Sequence, residues 1–330
     1  MLVVATQGSN GEGPGGTFPV TRRRRAFVPG GSRVELPQPW YPPGETVTKF
    51  GRVAIAGRPN VGKSSLMNAI VGQPLSMVSP KAQATRTPVI GLRTEGEAQI
   101  AFHDLPGLLD PAYLLQSRMV QLAIEDLRAA HVVLHLHPAT EGVAPPLESL
   151  LPPGTRLPPV RVVAYTKADL VPAGGSAPDG ILVSATTGQG IPALMAELER
   201  VLPEGEWEYP AEDLGTQPVR FFVTEYLREA AFELLEEEVP YSFTSEVEEF
   251  REGTDPVYIR VTLYVERESQ KRILVGASGR TIKAIGQHAR QRLEALIGGR
   301  VYLETWAKVL PRWRQSGELL TRLGFPDHQR

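Results

Sequence analysis

Cysteine does not occur anywhere in this chain of 330 residues. That absence excludes disulfides, thiolate nucleophiles and cysteine-ligated zinc, and it agrees with a reducing compartment, so a cytoplasmic protein is expected. Long apolar runs are missing too, and no segment approaches the length of a membrane span. The opening MLVVATQGSNGEG is too short and flat for a secretory signal, and Arg22–Arg25 come too late to be its charged start. What remains is ample for globular folding: 42% of the residues are apolar. The length suggests two domains plus linkers rather than one core.

Charge is nearly balanced overall, at −2, but not along the chain. Residues 199–255 hold 17 acidic and 4 basic side chains, whereas residues 271–314 hold 10 basic and 2 acidic ones. Such a swing between neighbouring segments predicts two faces with different partners.

Residues 1–46 are rich in Gly, Pro and Arg without helical or strand periodicity, and read as a disordered extension. A misassigned start codon would give the same tail. From residue 47 to 203, apolar Val- and Ile-rich strands alternate with helical spacing: GRVAIAG, VIGLRTE, AQIAFHD, HVVLHLH, RVVAYTK and ILVSA as strands, SSLMNAIVG, QSRMVQLAIEDLRAA and IPALMAELERVL as helices. This pattern predicts an α/β fold with a doubly wound, mainly parallel sheet, opened by a hairpin around Gly96. Residues 204–217, acidic and broken by Pro and Gly, read as a linker. Residues 218–330 then read α-β-β-α-α-β, with YSFTSEVEEF and DPVYIRVTLYVER as the first two strands.

Two glycine loops carry the chemistry. The first, Gly57-Arg-Pro-Asn60-Val61-Gly62-Lys63-Ser64-Ser65, matches G-x-x-x-x-G-K-[ST] between a strand and a helix. Its glycines let backbone N–H groups face phosphate oxygens at a helix N-terminus, Lys63 reaches the β- and γ-phosphates, and Ser64 ligates Mg²⁺. Downstream, Asp104-Leu-Pro-Gly107 ends a strand, where a carboxylate can hold the metal shell and the Gly107 N–H can meet the γ-phosphate. Thr85 lies in a polar loop suited to ordering around γ-phosphate and Mg²⁺. Thr166-Lys167-Ala-Asp169 follows a buried strand at the edge where such folds bind nucleotides. The Asp169 carboxylate can accept two hydrogen bonds from guanine, a pair adenine cannot supply.

The second loop, Gly276-Ala277-Ser278-Gly279, joins two helices of the α-β-β-α-α-β unit, the arrangement of a type II KH domain, whose GXXG loop clamps about four nucleotides of backbone. Arg280 and Lys283, with Lys271, Arg272, Arg290 and Arg292, supply phosphate contacts. An apolar groove beside the loop favours single-stranded RNA. Trp306 and Trp313 are aromatic candidates for base stacking, with core packing the expected use of Trp306.

The series GRPNVGKSS, QATR, DLPG, TKAD and SA, followed by GASGRTIKAIGQHAR, WR and LLTRLGF, resembles the translation-factor-related GTPases and, among them, the Era family of ribosome-assembly GTPases. The resemblance runs from about residue 50 to Phe325. It implies GTP and GDP with Mg²⁺ as ligands, Thr85 as the metal-facing threonine, backbone contacts from Ser184 and Ala185 to the base, and small-subunit ribosomal RNA near its 3′ end as partner on a 30S-type subunit. It further implies a monomer with peripheral membrane association.

Departures set further expectations. Thr166 stands where the family has Asn, predicting looser nucleotide binding; Ala277 stands where it has Lys, predicting weaker RNA binding. No room remains for a helix between Asp169 and Ser184, and LESLLPPG is too Pro-rich for a full one, so one sheet face should be thin. Leu108 follows Gly107 in place of a water-orienting Gln, predicting slow intrinsic hydrolysis. Asn60 resembles the residue that helps related GTPases bind K⁺. His135 and His137 share a strand face without a third ligand nearby. The main expectation is a GTP-hydrolysing switch acting in small-subunit maturation. The alternative is an RNA-binding scaffold that hydrolyses little GTP, and a tRNA-modification GTPase is disfavoured.

Overall fold

The computed structural model describes residues 47–172 and 180–327, and the amino-terminal extension expected from the sequence lies outside them. The first strand, β1 (Lys49–Ala56), is buried along nearly its whole length, as a central strand must be when both faces are covered. Gly62 takes a left-handed conformation (φ 97°) and opens helix α1 (Lys63–Val71), which Gly72 closes with φ 78°. Strands β2 (Val89–Glu95) and β3 (Ala98–Asp104) form the expected hairpin across Gly96. Helix α2 (Leu114–Ala129), strands β4 (Val132–Pro138), β5 (Val160–Thr166) and the short β6 (Ile181–Leu182), and helix α3 (Ile191–Val201) complete this half. The strand order is β2-β3-β1-β4-β5-β6, parallel except for β2.

Helices α1 and α3 bury Leu66, Met67, Ile70, Leu194 and Leu198 against one face. On the other, Ala123 and Leu127 of α2 meet Ala54, Ala56 and Val133, and the remaining area is closed by Leu147 and Leu151. Leu147–Leu150 is only a 3-10 turn, so this face is as thin as its prolines require. Residues 173–179, in the other position expected to lack a helix, lie outside the described residues.

The second half begins with α4 (Val219–Leu234) and the short α5 (Val239–Ser242). Then follow β7 (Thr244–Arg251), β8 (Val257–Val265), α6 (Glu268–Val275), α7 (Arg280–Ile297), β9 (Val301–Val309) and α8 (Gly317–Arg322). Strand β8 pairs antiparallel with β7 and parallel with β9. One expectation fails locally. The strand expected from Tyr241 starts at Thr244, because Pro240 sits in the first turn of a helical segment where its missing N–H costs nothing.

Both sheets belong to one compact unit from Thr48 onward, and one apolar cluster runs from Val53 and Leu66 to Phe222, Leu227 and Val261. The segment 204–217 is fastened rather than free. The Gly205 N–H bonds the Thr48 carbonyl, Leu92 N–H bonds the Leu214 carbonyl, and Gly91 bridges Gly215. Fully buried Gln99 donates to the Tyr209 carbonyl at 2.8 Å and accepts from the Tyr209 N–H at 3.0 Å. The bidentate Arg52–Glu208 pair adds little, both side chains being about 40% exposed. Gln99→Ala removes both Tyr209 bonds and is expected to cost about 1–3 kcal/mol. Urea unfolding measures the loss, and faster proteolysis within 204–217 marks the released segment.

Candidate nucleotide site and nucleic-acid interface

The phosphate loop follows from where β1 ends. Gly57 emerges with φ 152°, and a Cβ there would stand 2.7 Å from the Leu136 carbonyl of β4, so only glycine fits so close to the neighbouring strand. Asn60 (φ 63°) and Gly62 (φ 97°) complete the turn into α1. Lys63 is buried, and its Nζ donates to the Arg58 carbonyl at 3.1 Å and the Gly57 carbonyl at 3.4 Å. Burial pulls its ammonium down to about 8 while Asp104 works against that.

Three oxygen-bearing side chains from three elements converge below the loop. Ser64 Oγ donates to Asp104 Oδ2 at 2.6 Å and lies 3.1 Å from Thr85 Oγ1, which donates to the same carboxylate oxygen at 3.3 Å. Asp104 is wholly buried; desolvation raises its pKa, opposed by Lys63 and by the hydroxyl hydrogen bonds. Its Oδ1 is buried without a hydrogen-bond partner. An all-oxygen donor set with one orphaned carboxylate oxygen fits a hard cation such as Mg²⁺. Gly107 packs on the loop from the far side, since a Cβ there would come within 2.8 Å of Pro59. Leu108 is buried in the α2 cluster, so its side chain cannot orient water. A single cleft is lined by Asn60, Gly62, Lys63, Ser64, Thr85, Gly107 and Lys167. Ser65 and Pro59 border it as well, and Val61 lies buried beneath.

At the end of β5, the Thr166 hydroxyl donates to the Val61 carbonyl at 2.6 Å, tying the base-side strand to the phosphate loop where the family uses an amide. Asp169 Oδ1 accepts from the Ser184 hydroxyl at 2.6 Å. The Ser184 N–H donates instead to the Gln189 carbonyl, so Ser184 acts here through its side chain, with half-buried Ala185 beside it. His135 and His137 are buried in β4; desolvation pulls His135 down to about 4. Among the described residues no group of three or more His, Asp or Glu is placed to hold a metal.

The second glycine loop separates α6 from α7. Gly276 (φ 71°) has Thr281 Oγ1 2.2 Å from where a Cβ would stand, and Ser278 and Gly279 are left-handed. Ala277 and Ser278 are exposed, and Arg280 Nε donates back to the Ala277 carbonyl at 3.3 Å. One turn on, Lys283 and Arg290 border a groove with Ile282, Gly286, Leu303 and Thr305. Lys271 and Arg272 flank the loop on α6. Arg292 does not join them: two residues past Arg290, it faces α4, pairs with Glu229 and covers the Tyr226 ring. The tryptophans also exchange their expected roles. Trp306 is 55% exposed, because it lies on the outer face of β9, whereas Trp313 is fully buried and donates to the Ser242 carbonyl.

Nothing in the sequence pattern assigns a role to Lys81, Arg86 or Arg118, yet all three are engaged by the second half of the molecule. A cation beside the metal-facing threonine was the sole sequence signal, and it does not say where the side chain goes. Thr166→Val should weaken GDP binding about 3- to 10-fold, the value of one hydrogen bond of about 0.5–1.5 kcal/mol. The off-rate of a fluorescent GDP derivative measures it.

The comparisons agree with this geometry. Residues 52–164 match the family described as 50S ribosome-binding GTPase, and residues 238–314 match the KH domain. The chain is 35% identical over 295 residues to GTPase Era of Carboxydothermus hydrogenoformans, covering 85% of this chain and 99% of that one. It superposes with TM-score 0.78 on Era in complex with MgGDPNP and nucleotides 1506–1542 of 16S ribosomal RNA, at 34% identity over 85% of this chain and all of that one. It superposes equally, TM-score 0.78 and 35% identity, with the same shares of the two chains covered, on an Aquifex aeolicus Era variant bound to GDP and AlF4−. With a P-loop sheet, a KH sheet and this identity across the length of the relative, the chain belongs to the Era family of GTPases.

Proposed function

We propose that this chain is a GTP-hydrolysing switch that binds single-stranded ribosomal RNA of the small subunit near its 3′ end and acts in maturation of that subunit. In it, residues 47–203 serve as the nucleotide domain, 204–217 as the linker and 218–330 as the RNA-binding domain. The observation that carries this reading is the presence, in one compact unit, of the Ser64–Thr85–Asp104 cluster and the groove of Lys283 and Arg290 beside a GXXG loop. The match to an Era bound at once to MgGDPNP and a 16S RNA fragment supports the pairing of the two ligands.

In this reading Gly57, Asn60, Val61, Gly62 and Ser65 wrap the phosphates, and Lys63 offsets charge on the β- and γ-phosphates as the terminal bond breaks. Ser64, Thr85 and Asp104 would hold Mg²⁺, which neutralises phosphate charge. The Gly107 N–H meets the γ-phosphate. Asp169, oriented by Ser184, accepts from guanine; Lys167 covers the cleft, Thr166 secures the loop, and Ala185 lies against the base. With Leu108 buried, attacking water is placed by backbone alone, so turnover is slow. Asn60 gives its amide N–H to the Pro80 carbonyl at 2.9 Å, leaving its Oδ1 as the oxygen a K⁺ ion would take. On the family resemblance the chain acts as a monomer and touches membranes only peripherally; no described helix is long and apolar enough to cross one.

GTP turnover should rise when an RNA of the 16S 3′ terminus is added, vanish in Lys63→Ala, and run faster in K⁺ than in Na⁺ at matched ionic strength. Absence of turnover with and without RNA would favour the scaffold, and equal rates in the two salts would remove the K⁺ site. On the RNA side, Ala277→Lys adds one phosphate contact at the exposed tip of the loop. It should tighten RNA binding and steepen the salt dependence of log K by about one unit, read by fluorescence anisotropy at several salt concentrations.

A further inference from the structure

Three cations leave the segments beside the nucleotide cleft and end on the second half of the molecule, chiefly on backbone carbonyls. Lys81 Nζ donates to the Leu235 carbonyl at 2.6 Å and to the Phe232 carbonyl, at the end of α4. Arg118, on the helix that follows Gly107, donates to the Gly317 carbonyl and the Thr321 hydroxyl at 3.0 Å and to the Phe325 carbonyl. Arg86 is the most deeply placed, at 2% exposure. Its Nη1 donates to the Phe243 carbonyl at 2.7 Å, and its Nη2 to the Tyr241 and Pro240 carbonyls at 3.2 and 3.3 Å. The guanidinium sits over the rings of Phe232 and Trp313, 5.9 and 5.7 Å from their centroids.

The residue before it is Thr85. One peptide bond therefore joins a hydroxyl 3.3 Å from the Asp104 carboxylate to a guanidinium locked among carbonyls of α5 and the turn into β7. A guanidinium is a rigid planar fork, and three carbonyls grip it in one orientation. A shift of Thr85 toward or away from a γ-phosphate, or of residues 240–243, must either be taken up in the Arg86 side chain or passed to the other end of the contact. These residues also hold Trp313, through the Ser242 carbonyl, and Trp313 packs with Leu115, Met119 and Phe325. The segment after Gly107 thus meets the same spot from the other side.

We propose that Arg86 is a positioning residue that couples the nucleotide site to the RNA-binding half by fixing Thr85 to the carbonyls of Pro240, Tyr241 and Phe243. The inference rests on the switch reading above and names the contact through which the switch acts. A plain structural role, gluing two halves together, would change stability but not the way one ligand alters affinity for the other.

That mutual effect is the quantity to measure. On the full chain, the Kd of an RNA corresponding to the 16S 3′ terminus is determined with GDP and with GDPNP. In the unaltered protein the two should differ within the roughly 5- to 150-fold range typical of coupled sites. Arg86→Lys keeps the charge and loses the fork. It should bring the ratio below about twofold, with GDP affinity and GDP-state RNA affinity within about threefold of their starting values. A folded Arg86→Lys protein that keeps the full ratio overturns the inference and leaves the switch standing. A ratio of one in the unaltered protein overturns the switch reading and this inference with it. Should Arg86→Lys fail to fold, hydrogen exchange on the unaltered chain decides: replacing GDP with GDPNP should change protection at residues 84–88 and at 241–243 together, and a change confined to 84–88 overturns the coupling.

Discussion

The Asp104 side chain is wholly buried. A charge wholly buried at the end of β3 survives only by collecting donors, and it collects Ser64 from the start of α1, Thr85 from the loop before β2, and the nearby Lys63 ammonium. Lys63 and Ser64 open α1 and Thr85 comes from the loop before β2, so satisfying one carboxylate draws both segments to the end of β3. Its second oxygen is left unpartnered, a cost that makes sense where a cation completes the shell. The arrangement is built for a ligand rather than for stability.

From that centre the contacts run outward through Thr85 to Arg86. A mobile loop would let the threonine adapt locally and keep the event private to the nucleotide. Here the loop is held at Lys81 and Arg86, and the helix after Gly107 is held at Arg118. The apolar cluster shared by the two halves, with the segment 204–217 fastened along β2 and β3 through Gly91, Leu92 and Gln99, leaves little slack between them. In the proposed switch, changes at either ligand site act on elements already packed against one another.

Parts of this were legible from the chain alone. The glycine loops announce themselves because close backbone approach admits only glycine at Gly57 and Gly276, and the lysine and serine after the first loop stand at the spacing phosphate binding requires. Strand and helix order followed from periodicity, and the thin face of the first sheet from the prolines around Leu147–Leu150. What the chain alone did not reveal shares a cause. The Thr166 hydroxyl reaches the Val61 carbonyl, 105 positions away, and no local pattern announces that tie. Arg292 looked like a phosphate ligand until its helix face was known, and Trp306 and Trp313 could not be told apart without knowing which surface each strand or turn presents.

Local chemistry therefore determined the two glycine loops and the residues that follow them, because close backbone approach to a phosphate requires particular residues at fixed short spacing. Only the tertiary structure decided how the two are joined. Arginine side chains are long, and a guanidinium finds carbonyls wherever folding brings them; no pattern within QATR says that Arg86 will meet residues 240–243 rather than solvent. Spacing along a chain encodes contacts within a turn or a strand pair, whereas the contacts that couple two domains are set by how their surfaces pack.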